Sequence, residues 1–214
     1  MVKKILCIDT DYDDVVRSFL EGRKEVYRYF ETKGFEVIRI QGEEATRKTI
    51  SEIALDEDVV YITGSGHGTE ASFKGHKYRS IFKKRWSLLR AKGYLEDEVK
   101  NKIIHLLSCS SAKILGIDFV KNGCKAFFGY DKVVQLDPDY NQIYSTCDAE
   151  IDYAIADGCT AEEAFDRAVQ FYKDAIEVLD ERNSEYISLS LKRNLECLKG
   201  PTISPWGSRN ATIS

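Results

Sequence analysis

Two short motifs at the ends of apolar segments contain a histidine and a cysteine. Segment 58–63 runs into Gly64-Ser-Gly-His67-Gly68, and segment 103–107 runs into Ser108-Cys109-Ser110. A thiol reacts as its thiolate, and a nearby imidazole both removes the thiol proton and stabilises the anion. If both segments are strands of one sheet, His67 and Cys109 lie at strand ends, where α/β proteins carry their active sites. The pattern predicts a hydrolase with a Cys-His dyad.

The alternation of apolar and amphipathic segments predicts the strands and helices that position these two residues. Such βαβ order is typical of a parallel sheet covered by helices. We therefore predict an α/β fold, a three-layer αβα sandwich with about five mainly parallel strands. The expected strands are 3–8, 35–40, 59–63, 103–107 and 125–128, and the expected helices are 14–33, 43–55 and 112–121. Segment 69–98 is expected to be an insert made of a loop, a polar helix and a return.

The last third of the chain is expected to be helical. Thr160 and Glu163 have the spacing of a capping box, which predicts a helix from 160 to about 179. Helices are also expected at 148–156 and 184–198. Residues 1–200 are predicted to form a single domain, followed by a C-terminal tail at 201–214.

Composition narrows the class of protein. With 214 residues, 43% of them hydrophobic, the chain is long enough for one good core, and its net charge of −4 with scattered basic residues does not predict a nucleic-acid partner. No segment predicts a signal peptide or a membrane span, so we expect a cytoplasmic protein without a membrane partner. The six cysteines lack metal-binding spacing, so we expect no metal, no cofactor and mostly buried thiols. The oligomeric state is open.

The order of these motifs resembles that of the caspase-like cysteine peptidases (clan CD), which include caspases, metacaspases, gingipains, separase and the CHAT-type proteins. The residues that carry the resemblance are His67-Gly68, Ser108-Cys109-Ser110, the Asn122-Gly123 turn and the apolar segment 125–130. Segment 152–165 is similar to the helix-Gly-x-Thr-helix passage of gingipain-like and CHAT-type members. The matches extend from residue 1 to about 180, and together they are more specific than any one motif.

The resemblance implies a caspase-like fold and hydrolysis of peptide bonds in a protein or peptide substrate. Cys109 would attack the carbonyl, and His67 would protonate the leaving amine and then activate water. The backbone N–H groups of Gly68 and Cys109 would bind the oxyanion. The family does not require a third residue, and neither Asp131 nor Glu70 is assigned that role.

Four carboxylates follow the first predicted strand, in Asp9-Thr-Asp11-Tyr-Asp13-Asp14. In caspase-like enzymes this strand end helps to line the pocket for the residue before the cut. We therefore predict cleavage after Arg or Lys, with Asp11 or Asp13 pairing with the basic side chain. Alternatively, these acids only cap the first helix. The other residues expected to contact substrate are Ser108, Ser110 and Asp131.

Three alternatives remain open. The acidic cluster with Asp9 and Asp11 also resembles phosphoacceptor receiver domains, or a haloacid-dehalogenase-type phosphatase in which Thr63 would bind phosphate near magnesium. A caspase-like protein without turnover would act as an interaction protein instead. If the chain is an enzyme with basic preference, the run Lys83-Lys-Arg85 is a candidate for self-cleavage, although a solvated helix face is the favoured interpretation of this run. His105, within an apolar segment, is predicted to be a core histidine.

Overall fold

The computed structural model of the protein describes residues 2–77, 85–136, 138–201 and 205–213. Its main sheet has six strands in the order β2-β1-β3-β7-β8-β9. The first five are parallel, and the short β9 is antiparallel to β8. The strands among the described residues are β1 Lys4–Asp9, β2 Glu36–Gln41, β3 Val59–Ser65, β4 Gly68–Thr69, β5 Ser72–Lys77, β6 Arg85–Arg90, β7 Ile103–Leu107, β8 Ala126–Tyr130 and β9 Leu198–Lys199.

Helices cover both faces of this sheet, so the predicted α/β sandwich is confirmed. They are α1 Asp14–Arg17, α2 Leu20–Thr32, α3 Arg47–Ala54, α4 Leu115–Lys121, α5 Asn141–Ala156, α6 Ala161–Glu181 and α7 Glu185–Cys197. The predicted helix at 14–33 is interrupted, because the Ser18 hydroxyl bonds the Val15 carbonyl and α1 ends there. The capping box of α6 is present, with the Thr160 side chain accepting from the Glu163 N–H. None of the described helices is long and apolar enough to cross a bilayer.

Two hydrophobic cores lie on opposite faces of the sheet. The first contains Phe30, Tyr61 and Phe128 together with the apolar faces of α5 and α6. The second contains Ile62 and Phe127 together with residues of α3 and α4. Because strand side chains alternate between the faces, neighbouring residues such as Phe127 and Phe128 belong to different cores.

The insert between β3 and β7 differs from its prediction. Its described part is a three-stranded antiparallel sheet, β4-β5-β6, where a loop and a polar helix were expected. The strands are stabilised by burial of Phe73, Leu88 and Leu89 in the second core. Lys83 and Lys84 of the basic run lie outside the described residues, and Arg85 begins β6.

Residues 205–213, which the sequence analysis separates from the domain as a tail, pack against it. The Trp206 indole N–H donates to the Ala112 carbonyl at 2.9 Å, and the Trp206 carbonyl accepts from the Phe127 N–H at 2.9 Å. Ala211 and Ile213 are buried in the first core. This segment therefore supports β8 and the turn before α4.

A buried polar network connects the strands below the dyad to α2 and α5. Arg23 pairs with Asp9 at 3.2 Å and with Asp152 at 2.9 Å. His105 on β7 bonds Asp152 at 3.1 Å and Asp148 at 3.2 Å. His105 is fully buried, so the prediction of a core histidine is confirmed.

Candidate active site

The two motifs leave the same edge of the sheet and touch. Strands β3 and β7 are parallel neighbours, with Ser65 opposite Leu107. A Cβ atom added to Gly68 would lie 2.1 Å from Ser108 Oγ and 2.6 Å from the Cys109 carbonyl oxygen. Only a hydrogen fits at this position, so glycine allows the backbone after His67 to approach the backbone at Cys109.

The His67 ring is positioned by two neighbouring residues between β1 and α1. Its Nε2 lies 2.8 Å from Asp13 Oδ2, and its ring packs against Tyr12 with centroids 5.4 Å apart. The His67 backbone N–H also donates to the Tyr12 hydroxyl at 3.2 Å. The side chains of His67 and Asp13 are 30% and 31% exposed, so a substrate can reach the ring.

The contact with Asp13 determines which ring nitrogen is available. A carboxylate only accepts hydrogen bonds, so it favours the His67 tautomer that has its hydrogen on Nε2. Nδ1 then keeps its lone pair and is the nitrogen suited to remove a proton. The other oxygen of Asp13, Oδ1, accepts from the Val16 N–H and caps α1, as the capping alternative predicts.

Cys109 is half-buried at the start of the turn that follows β7. Its Sγ accepts from the Val134 N–H at 3.4 Å. Burial raises the pKa of the Cys109 thiol, and the N–H groups of Val134 and of Cys109 itself lower it in part. The resting side chain is therefore a thiol that needs a base. Within the described part of the chain, no hydrogen bond joins His67 to Cys109.

The residue after the cysteine has an unusual backbone conformation. Ser110 has φ of 59°, in the left-handed region that a non-glycine residue rarely adopts. Its N–H donates to the Lys132 carbonyl at 2.9 Å, and the next turn is fixed by the Ala112 N–H, which donates to the Tyr130 carbonyl at 2.9 Å. Such strained backbone is frequent at functional sites, where surrounding bonds maintain it.

The other predicted site residues differ in their positions. Ser108 is buried against Gly68, and its hydroxyl has no hydrogen-bond partner among the described residues. Asp11 turns toward β2, where its Oδ2 accepts from Gln41 Nε2 at 3.4 Å. Asp131 pairs with Lys199 at 3.4 Å at the opposite side of β8. The contacts of Asp11 and Asp131 thus lie toward opposite edges of the sheet, at β2 and β9.

Sequence reasoning missed two contributions to this site. Tyr12 and Asp13 position the His67 ring, although they lie 55 and 54 positions before it in the chain. The Val134 N–H reaches the sulfur from the loop after β8. The run of acids after β1 is a signal for Asp13, but it carries no information about which residue Asp13 contacts.

The phosphoryl-transfer alternatives need a free carboxylate at the end of β1. Asp9 is buried, and Arg23 and Ser65 donate to its Oδ1. The Tyr27 hydroxyl donates to Asp9 Oδ2. Thr63, the proposed phosphate ligand, is buried and accepts from Arg23 at 2.9 Å. Both oxygens of Asp9 are thus engaged within the core, which leaves this site poorly suited to magnesium or phosphate.

Comparison with known proteins supports the fold. No family model matches the chain. No curated protein matches its sequence either. Among solved structures, the Arg-specific cysteine proteinase gingipain R (RgpB) is similar with a TM-score of 0.61 at 10% identity over 98% of this chain and 47% of that chain. The complex of Porphyromonas gingivalis RgpB pro- and mature domains is similar with a TM-score of 0.61 at 10% identity, over 97% of this chain and 48% of that chain.

The sheet order and these similarities define the fold: the chain has an α/β fold similar to that of the gingipain structures. It spans about half the length of the gingipain structures. At 10% identity the likeness extends to the fold alone.

Proposed function

We propose that the protein is a cysteine endopeptidase that uses Cys109 and His67 to hydrolyse peptide bonds after a basic residue. The observation that carries the proposal is the contact between the two catalytic loops, where Gly68 lies directly against the Cys109 backbone. This contact supports the proposal because His67 and Cys109 then belong to adjoining segments at one edge of the sheet. A caspase-like interaction protein without turnover would not need the contact between Asp13 and His67.

The chemistry follows from the groups present. His67 Nδ1 accepts the thiol proton, and Cys109 Sγ attacks the carbonyl carbon of the scissile bond. The protonated imidazole gives its proton to the leaving amine, and the same nitrogen then activates the water that hydrolyses the thioester. The N–H groups of Gly68 and Cys109 are the proposed donors to the oxyanion, an interaction that is typically worth about 3–4 kcal/mol.

The preference for Arg or Lys rests on charge. Asp11, Asp13 and Asp14 follow the end of β1 in the chain, and Asp13 contacts His67. A guanidinium or ammonium group pairs well with such carboxylates. Of these, Asp11 is the proposed partner, because Asp13 already contacts His67 and caps α1. The contact of Asp11 with Gln41 is long, at 3.4 Å, and a substrate cation would replace it. The gingipain structure of similar fold belongs to an Arg-specific proteinase, which agrees with this preference.

A positional-scanning library of fluorogenic peptides tests the proposal. We expect cleavage after Arg or Lys by the wild-type chain and none by Cys109→Ala. Cys159→Ala is the matched control, since Cys159 is a half-buried cysteine outside the site. Equal turnover by wild type and Cys109→Ala would contradict the dyad, and cleavage after other residues would contradict the basic preference alone.

Self-cleavage at Lys83-Lys-Arg85 follows as a second consequence of a basic preference. Mass spectrometry of the wild-type chain beside Cys109→Ala distinguishes the outcomes. A cut in this run that is present in the wild type and missing in the variant is expected. A cut found in both proteins would come from another protease.

A further inference from the structure

A cavity of about 600 Å³ opens at the amino-terminal edge of the sheet, opposite to the dyad. It lies where β3, β7 and β8 begin, and it is independent of the proposed peptidase chemistry. Three lysines line it, namely Lys100, Lys102 and Lys125, together with the acids Glu57 and Asp97. The amines of these three lysines differ in burial and in their charged neighbours, so they differ in reactivity.

Lys102 is the buried member of the three. It is 4% exposed. Among the described residues, the one hydrogen bond of its amine goes to the Asp56 carbonyl at 3.5 Å, the outer limit for such a bond. Burial lowers the pKa of the Lys102 amine, and the charges of Asp56, Asp97 and Glu57 offset this only in part. Each unit by which an amine pKa falls raises its neutral, nucleophilic fraction at neutral pH about tenfold.

Lys100 and Lys125 are exposed and stand at the rim of the same cavity. Lys100 has a distant ion pair with Glu96, at 3.5 Å, and its side chain is 50% exposed. These two ammonium groups attract an anionic reagent toward the buried Lys102 amine, against the opposing charge of Glu57 and Asp97. A phosphate group fits this description because it is compact and doubly charged at neutral pH.

We propose that Lys102 is a site of N-acylation by small acyl phosphates. The lone pair of the Lys102 nitrogen attacks the acyl carbon, and a new C–N bond forms. The C–O bond of the mixed anhydride breaks, and inorganic phosphate leaves beside Lys100 and Lys125. The nitrogen loses its proton to water or to the carboxylate of Asp97 or Glu57. The product is a neutral amide in place of a buried cation, so the reaction also removes the cost of burying that charge.

Acetyl phosphate is the probe for this proposal. The full chain is incubated with it at neutral pH, and quantitative peptide mass spectrometry gives an acetylation rate for every lysine. We expect the rate at Lys102 to exceed the median rate of the other lysines several-fold. The same reaction in concentrated guanidinium is the control, and the preference for Lys102 should disappear when the chain unfolds.

Two variants and a neutral reagent test the role of the rim. Lys125→Gln and Lys100→Gln change exposed side chains, and each should slow acetylation of Lys102 by acetyl phosphate. Neither should slow acetylation by N-acetylimidazole, which carries no phosphate. A rate at Lys102 no greater than the median would overturn the proposal. So would a preference that persists in the unfolded chain, or variants that affect both reagents equally.

Discussion

Asp13 joins the His67 ring to the first turn of α1. Its Oδ2 lies 2.8 Å from His67 Nε2, while its Oδ1 accepts from the Val16 N–H at 3.2 Å. One carboxylate thus orients the imidazole and is itself held by the helix backbone. The position of the ring therefore depends on a helix cap that lies 54 residues earlier in the chain.

Asp13→Asn should separate these two roles. Asn caps helices about as well as Asp, so we expect little change in the free energy of unfolding. An amide no longer favours one His67 tautomer, and the comparable change in a Ser-His-Asp triad lowers kcat by about 10⁴-fold. We expect a large loss in kcat, measured on the preferred peptide. Asp14→Asn, which removes an exposed charge one position away, is the control and should retain activity.

Gly68→Ala should disrupt the contact between the loops. The added methyl would lie 2.1 Å from Ser108 Oγ and 2.6 Å from the Cys109 carbonyl, so the segments must move apart. We expect a destabilisation of about 1–3 kcal/mol and loss of peptidase activity. Gly93→Ala is the matched control, since its nearest atom is 3.2 Å away and it lies in the turn after β6. Normal activity in Gly68→Ala would show that the close approach is dispensable.

Much of this arrangement could be predicted from local sequence. The run 103–107 is apolar except for His105, as expected for a strand buried on both faces, and β7 has these bounds. Glycine at position 34 has φ of 88° and ends α2, as its position after the helix pattern suggests. The alternation of these elements is sufficient to predict the sheet and the edge that carries the dyad.

The remaining features depend on contacts between distant segments. Strands β5 and β6 form because Phe73 and Leu88 are buried in the second core. The local sequence does not indicate this burial. Asp13 both caps α1 and contacts His67. Only the helix cap has a signature in the local sequence. Trp206 packs back onto Ala112 across 94 positions, although its surroundings in the chain are polar.

His105 should make stability depend on pH. The carboxylates of Asp148 and Asp152 raise its pKa to about 9 from 6.5, against the effect of burial. A raised pKa stabilises the fold fully below pH 6.5, and this contribution is lost as the pH rises through about 9. The change is on the order of 3 kcal/mol. Urea unfolding from pH 6 to 10 measures it, and Asp148→Asn should reduce the dependence. A flat profile in the wild type would contradict it.

Removal of the last segment should weaken the domain. Trp206 provides two hydrogen bonds that hold β8 and the turn at Ala112, and Ala211 is buried in the first core. We expect deletion of residues 205–214 to lower the thermal midpoint by several degrees, since loss of 1 kcal/mol corresponds to about 2–4 °C in a chain of this size. Calorimetry of both chains measures the difference. An unchanged midpoint would mean that the segment contributes little.

The pH dependence of Cys109 alkylation tests most directly whether His67 activates the thiol. The rate of iodoacetamide labelling at Cys109 is followed by mass spectrometry in the wild type and in His67→Gln. We expect Cys109 of the wild type to be labelled already at neutral pH. The variant should react only as the pH approaches the raised pKa of an isolated, half-buried thiol. Identical profiles in the two proteins would contradict the dyad.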